Sequence, residues 1–144
     1  MFATTHLRSR QAPVRRGAAA VELAVTVPFL ITLAFGMLEY NSVVMLKTKM
    51  VSAAYESARM ATRPTTSQTS APTAAAVSAY CSSLLTQLGV KGATVTVTPA
   101  SLSSITPQTL VTVSISAPFN QNSLTTIVIG KTSVTTATAS LIVE

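Results

Sequence analysis

The sequence predicts an α+β protein in which a long N-terminal helix precedes a small head. Residues 18–63 keep a helical pattern that is apolar at first and amphipathic afterwards. Residues 73–89 show a second helical pattern, and the remaining chain alternates β-branched and polar residues between prolines and a glycine. We therefore expect the apolar faces of two helices to cover one face of a small antiparallel β-sheet.

The first 17 residues form a basic leader without hydrophobic periodicity, which we expect to be unstructured. Its arginines all precede the first acid of the chain, and they are Arg8, Arg10, Arg15 and Arg16. Cytoplasmic flanks of membrane helices are rich in Lys and Arg, so the leader is predicted to stay in the cytoplasm. Lys47 and Lys49, on the far side, weaken this asymmetry without reversing it.

An apolar run follows over residues 18–38, with Glu22 as its one charge. At 1.5 Å per residue, its roughly 21 residues extend about 32 Å, close to the thickness of bilayer hydrocarbon. A cleaved secretory signal has a shorter apolar core and a small-residue cleavage site soon after it. The run therefore predicts a transmembrane helix, in which Pro28 is tolerable.

Residues 39–63 continue the helix as an amphipathic extension. At 100° per residue its apolar side contains Val43, Val44, Leu46, Met50, Val51, Ala54, Ala58 and Ala61. We expect this side to be buried. The helix should end at Arg63, because the residue before Pro64 is pushed out of helical conformation. The extracytoplasmic head then comprises residues 64–144.

The second helix, residues 73–89, has clear ends. Thr73 can cap its N-terminus and Gly89 can close its C-terminus. One face is apolar at helical spacing, and Cys81 lies on it. An unpaired cysteine in an exported protein can join another chain, but a buried thiol is the favoured interpretation here.

Four later segments predict strands: Ala93–Thr98, Thr109–Ala117, Thr125–Ile129 and Lys131–Val143. Pro99, Pro107, Pro118 and Gly130 separate them. Their spacing favours antiparallel pairing.

Glu22 has two interpretations. It can lie among the lipid headgroups, about one helical turn from the arginines. Alternatively, cleavage after Gly17 gives Ala18 a positive amine, and the Glu22 carboxylate pairs with that amine on its own chain or on a neighbour.

Two motifs resemble those of TadE-like proteins of tight-adherence (Flp) pilus systems. The first is Gly17-Ala18-Ala19-Ala20-Val21-Glu22-Leu23-Ala24, and the second is Ala53-Ala54-Tyr55-Glu56-Ser57-Ala58-Arg59-Met60-Ala61. The second motif carries the family residues Ala54, Glu56, Ala58 and Arg59. Tyr55 stands where the family commonly has arginine, and Ser57 where it commonly has glycine.

The resemblance implies a minor pseudopilin that a prepilin peptidase cuts between Gly17 and Ala18. It implies pilin-like subunits of the same machine as partners, with Glu22 setting the register of assembly. The protein is then a single-pass protein of the bacterial inner membrane, with its head in the periplasm or outside the cell.

Two alternatives stay open. One is an uncleaved single-pass anchor whose head binds a partner in the envelope. The other is a pseudopilin of a type II secretion machine, although those usually have phenylalanine or methionine after the cleavage glycine, where this chain has Ala18.

The sequence argues against enzymatic chemistry. It contains no aspartate, and its single histidine, His6, lies in the leader. Nucleophilic triads, paired catalytic carboxylates and zinc sites therefore lack their residues. We expect no cofactor, no metal and no small-molecule substrate. Removal of residues 1–17 lowers the formal net charge from +6 to +2, because four arginines lie in the leader. The positive charge therefore indicates how the chain is oriented in the membrane, and it does not predict nucleic-acid binding.

Overall fold

A computed structural model describes residues 16–62, 72–102, 108–127, 129 and 132–143. Its elements are two helices, three strands and a short 3₁₀ turn. In chain order they are α1 (Arg16–Thr62), α2 (Ala74–Gln87), β1 (Thr94–Thr98), β2 (Leu110–Pro118), the 3₁₀ turn (Phe119–Gln121) and β3 (Val134–Ile142). The predicted α+β class is confirmed.

The chain divides after Ala34 into two compact units. In the described part of the first unit, residues 16–34 are helical and the side chains of residues 17–34 are exposed. The helix includes Arg16 and Gly17, so the prediction of an unstructured leader is wrong for these two residues. Neither residue interrupts a helix at its first turn, where backbone N–H groups need no helical partner.

The second unit begins at Phe35 and contains the rest of α1 with the head. Its sheet has the order β1-β2-β3 and is antiparallel throughout. Apolar residues face each other across the strands on one side, as in the pairs Val97↔Val113 and Ile115↔Ala137. The opposite side is polar, and there the Thr112 and Ser140 hydroxyls form a hydrogen bond of 2.9 Å.

The core lies between the apolar side of the sheet and the two helices. The central strand supplies Val111, Val113, Ile115 and Ala117, all essentially inaccessible to solvent. Helix α2 adds Val77, Cys81 and Leu85, and α1 adds Leu46, Met50, Ala53, Ala54, Ala58 and Ala61. Each helix thus buries one stripe, as amphipathic helices do.

The buried stripe of α1 is narrower than predicted. Val44 and Val51 remain 43% and 41% exposed, although the periodicity placed them on the buried side. The two valines lie about 100° or more around the helix from Ser57, which is fully buried. The head covers only one sector of the helix, so apolar residues at the margin stay exposed.

The predicted ends of α2 are confirmed. The Ala76 backbone N–H donates to the Thr73 hydroxyl at 3.2 Å, which caps the N-terminus. Gly89 adopts a φ of +73° just after the helix, a conformation that favours glycine.

Residues 125–129 were predicted to form a strand, and among the described ones, 125–127 and 129, this is wrong. In a strand the N–H groups of residues two apart project in parallel, about 6.6 Å apart, towards a neighbouring strand. Here the Ile127 and Ile129 N–H groups converge on the two carboxylate oxygens of Glu39. A side chain has therefore taken the place of a neighbouring strand.

Candidate functional site on the long helix

The predicted processing site lies at the exposed N-terminal end of α1. Gly17 and Ala18 are exposed, and no heavy atom lies within 4 Å of the position that a Cβ would take at Gly17. Arg8, Arg10 and Arg15 lie outside the described residues, and Arg16 is the first residue of the helix. Among the described residues, no side chain therefore covers the Gly17–Ala18 bond.

Glu22 lies just over one turn after Ala18, and its side chain is exposed. The Thr26 hydroxyl donates to the backbone carbonyl of Glu22 at 2.7 Å and leaves the carboxylate uninvolved. No ion pair to Glu22 is formed by the residues that the structure describes. Its carboxylate is therefore exposed and accessible to a positively charged group.

The apolar segment that follows is exposed on all sides. Val25, Leu30 and Ile31 are each at least half exposed, although they point about 100° or more apart around the helix. Helix α1 is long and apolar enough to cross a membrane, with a mean hydropathy of 2.0 in its most apolar window. Pro28 leaves the helix unbroken. An all-round apolar surface of this kind suits lipid or other apolar helices.

The second motif packs α1 against α2. Ala54 and Ala58 are fully buried, whereas Glu56 and Arg59 are exposed. Small side chains let the two helices approach, and the Cys81 thiol comes within 4.0 Å of the Ala53 carbonyl oxygen. The alanines of the motif therefore have a packing role, and its two charged residues remain available at the surface.

Ser57, where the family commonly has glycine, is buried at this helix contact. Its hydroxyl donates to the Ala53 carbonyl at 2.7 Å. Burial raises the pKa of the nearby Cys81 thiol, and a hydrogen bond with Ser57 partly opposes that shift. Cys81 is free and buried, as the sequence predicted, and its raised pKa disfavours the reactive thiolate.

Glu39 is the residue that the sequence reasoning missed. Its side chain is fully buried, one residue after the end of the apolar run. One carboxylate oxygen accepts a hydrogen bond from the Ile127 N–H, and the other accepts one from the Ile129 N–H at 2.7 Å. A buried carboxylate is costly unless it is hydrogen-bonded, and these two bonds satisfy an oxygen each.

Sequence spacing contained a signal for Glu39. It precedes Leu46 by seven residues and Ala53 by fourteen, and both of these are buried. Seven residues make nearly two full helical turns, so Glu39 falls on the buried stripe of α1. The identity of its partners could not be read from that spacing.

A second surface of α1 is apolar and open. A groove of about 490 Å³ runs along the helix beyond the apolar run, and its lining residues are Tyr40, Val43, Val44, Lys47, Thr48, Val51 and Ser52. Tyr40 is 70% exposed, so the described part of the head does not fill the groove.

The described residues contain no group of three or more His, Cys, Asp or Glu side chains that could hold a metal ion. Their acids are dispersed along α1: Glu22 near its start, Glu39 under the head and Glu56 on the exposed side.

Comparison with known proteins gives a family match. Residues 17–59 match the sequence profile of the family described as TadE-like protein. No curated protein and no solved structure matches the chain. The matched segment begins at Gly17, contains the apolar run and ends at Arg59 in the second motif. The family is a structural one associated with tight-adherence pili. Residues 17–59 thus form a TadE-like segment, which agrees with the resemblance of the two sequence motifs.

Proposed function

We propose that the protein is a membrane-anchored minor pseudopilin. A prepilin peptidase cuts it after Gly17, and it then acts in the assembly of a tight-adherence type IVb pilus. The observation that carries the proposal is the TadE-like segment beginning at Gly17, where the helix is exposed. The leader stays in the cytoplasm, α1 crosses the inner membrane once, and the head faces the periplasm or the exterior.

In this proposal Glu22 sets the register of assembly. Cleavage gives Ala18 a positive amine, and Glu22 lies four residues further along α1. At 1.5 Å per residue, the two groups are about 6 Å apart along the helix axis. A neighbouring helix displaced by that distance brings its amine level with Glu22. The pairing satisfies a carboxylate that is costly to leave alone in the membrane.

Close packing of helices is favoured by the small residues of α1. Those with exposed or half-exposed positions are Ala18, Ala19, Ala20, Ala24, Ala34 and Gly36. Small residues let helix backbones approach closely in a membrane. Beyond the membrane, the open groove at Tyr40 and Val44 offers an apolar surface to another pilin-like helix. The partners are therefore the membrane, the peptidase and other pilin-like subunits.

The deciding experiment is the N-terminal residue of the mature protein, measured by mass spectrometry of membranes from a host with the cognate peptidase. A start at Ala18, with or without methylation, supports the proposal. A start at Met1 refutes processing and leaves an uncleaved anchor whose head binds an envelope partner.

A further inference from the structure

The loop after the 3₁₀ turn exposes large apolar side chains. We define the apolar loop as residues 122–127 and 129. Leu124 is 91% exposed and Ile127 is 69% exposed. The Ser123 hydroxyl donates to the Thr125 carbonyl at 2.6 Å, so the loop satisfies part of its backbone internally. The Thr125 N–H also donates to the Ser123 hydroxyl, at 3.3 Å, whereas the buried Thr125 hydroxyl makes no hydrogen bond to the described residues.

Glu39 fixes the position of this loop along α1. The Ile127 and Ile129 N–H groups donate to its carboxylate, which holds the loop backbone at the level of residue 39. The apolar run ends at Leu38, and its length matches the hydrocarbon thickness of a bilayer. The end of the hydrocarbon layer therefore lies beside Ile127 and Ile129 of the apolar loop.

The charges around the loop favour lipid headgroups. Lys91 is exposed and its backbone is joined to the loop, since its N–H donates to the Asn122 side chain at 2.7 Å. Lys49 lines the same shallow pocket as Leu124. Among the described acids near this end of the head, Glu39 is buried and hydrogen-bonded, and Glu56 lies 17 residues further along α1. At 1.5 Å per residue, that separation is about 25 Å.

We propose that the apolar loop inserts into the interfacial layer of the membrane. Ile127 lies at the boundary between headgroups and hydrocarbon, and Leu124, which lines a pocket with Ser42 and Lys49, lies in the headgroup layer. Lys49 and Lys91 face anionic headgroups. A second copy of the chain is the less favoured occupant, because it presents the same cationic rim. The inference depends on the membrane span of α1 and not on cleavage or pilus assembly.

The sequence contains no tryptophan, which permits a direct test in the full-length chain. Leu124→Trp places a single reporter in the loop. Leu110→Trp is the matched control, because Leu110 is 54% exposed at the opposite end of β2. Its distance from Pro118 along the strand is about 26 Å. Both variants are reconstituted into vesicles of phosphatidylcholine and phosphatidylglycerol that contain shallow nitroxide-labelled lipid.

We expect the Leu124→Trp emission to shift to shorter wavelength, with quenching roughly threefold greater than for Leu110→Trp, as for tryptophan at a membrane interface. Equal quenching and water-like emission in both variants overturn the proposal. Blue-shifted emission without lipid quenching also overturns it and assigns the loop to a protein contact.

A second pair of variants excludes an effect of the tryptophan itself. The reporter is moved to Ile127, and Leu124 is replaced by Glu in that background. A charged side chain is costly in the apolar layer, so quenching at position 127 should fall by about half or more. Unchanged quenching contradicts insertion driven by the loop.

Discussion

Glu39→Gln tests whether the buried carboxylate holds the apolar loop to α1. The substitution keeps the size and shape of the side chain and removes its charge. Glutamine retains one acceptor oxygen and places an NH₂ group, a donor, where the second oxygen was. Because Ile127 and Ile129 each donate to a different oxygen, at least one of the two hydrogen bonds is lost.

The magnitude follows from those bonds. A hydrogen bond to a charged group contributes about 1.5–3 kcal/mol, and a donor left facing another donor loses all of it. Every 1.4 kcal/mol corresponds to a factor of ten. The free energy of local opening should therefore fall enough to speed hydrogen exchange at the Ile127 and Ile129 amides roughly 10- to 150-fold.

The assay is hydrogen–deuterium exchange of the full-length protein in detergent micelles. Glu56→Gln is the matched control, because it makes the same change on the same helix at an exposed position. The amides of Val113 and Ile115, in the central strand, report whether the whole head has loosened. Exchange at residues 127 and 129 within twofold of the unsubstituted protein refutes the reasoning. Equal acceleration at residues 113 and 115 also refutes it, since the effect is then global.

The remaining predictions concern processing, assembly and packing. Gly17→Trp should leave the longer precursor in membranes, and unchanged mobility on a denaturing gel counts against cleavage at this bond. Glu22→Ala should still be cleaved but should reduce piliation severely, and normal pili by electron microscopy remove its role in register. Ala58→Leu should destabilise the head by about 1–3 kcal/mol because its site is fully buried, whereas Tyr55→Leu should change stability by less than about 0.5 kcal/mol in the same denaturant titration. Cys81 should resist Ellman's reagent until the head is unfolded. Because burial raises its pKa, its contribution to stability is present below the pKa of the unfolded thiol and is lost as pH rises through the folded value. Rapid labelling of the folded protein contradicts that burial.

The two helices were predictable because their signals are local. Thr73 and Gly89 mark the ends of α2 through side-chain capping and a left-handed backbone, and both depend on residues within one turn. Strands β1 and β2 could be predicted as well, because apolar and polar residues alternate along each of them and only one face is turned towards the core.

The width of the buried stripe on α1 was not predictable from local signals. Periodicity gives the direction of an apolar face but not the share of it that the head covers. Val44 and Val51 therefore stayed exposed on the predicted side, while Ser57 was buried beside Cys81. Which part of a helix is covered depends on where α2 and the sheet dock, and that depends on contacts distant in sequence.

The fate of residues 125–129 shows why long-range chemistry limits such predictions. Their β-branched composition favours a strand, and a strand needs a neighbour with free carbonyl groups. Glu39 is 88 residues from Ile127, yet its two oxygens accept the N–H groups that such a neighbour requires. Because the two N–H groups meet different oxygens, a glutamine in the same position places an NH₂ donor against one of them. A carboxylate at this position therefore favours a loop over an edge strand. It also places that loop beside the end of the apolar run, since Glu39 directly follows Leu38.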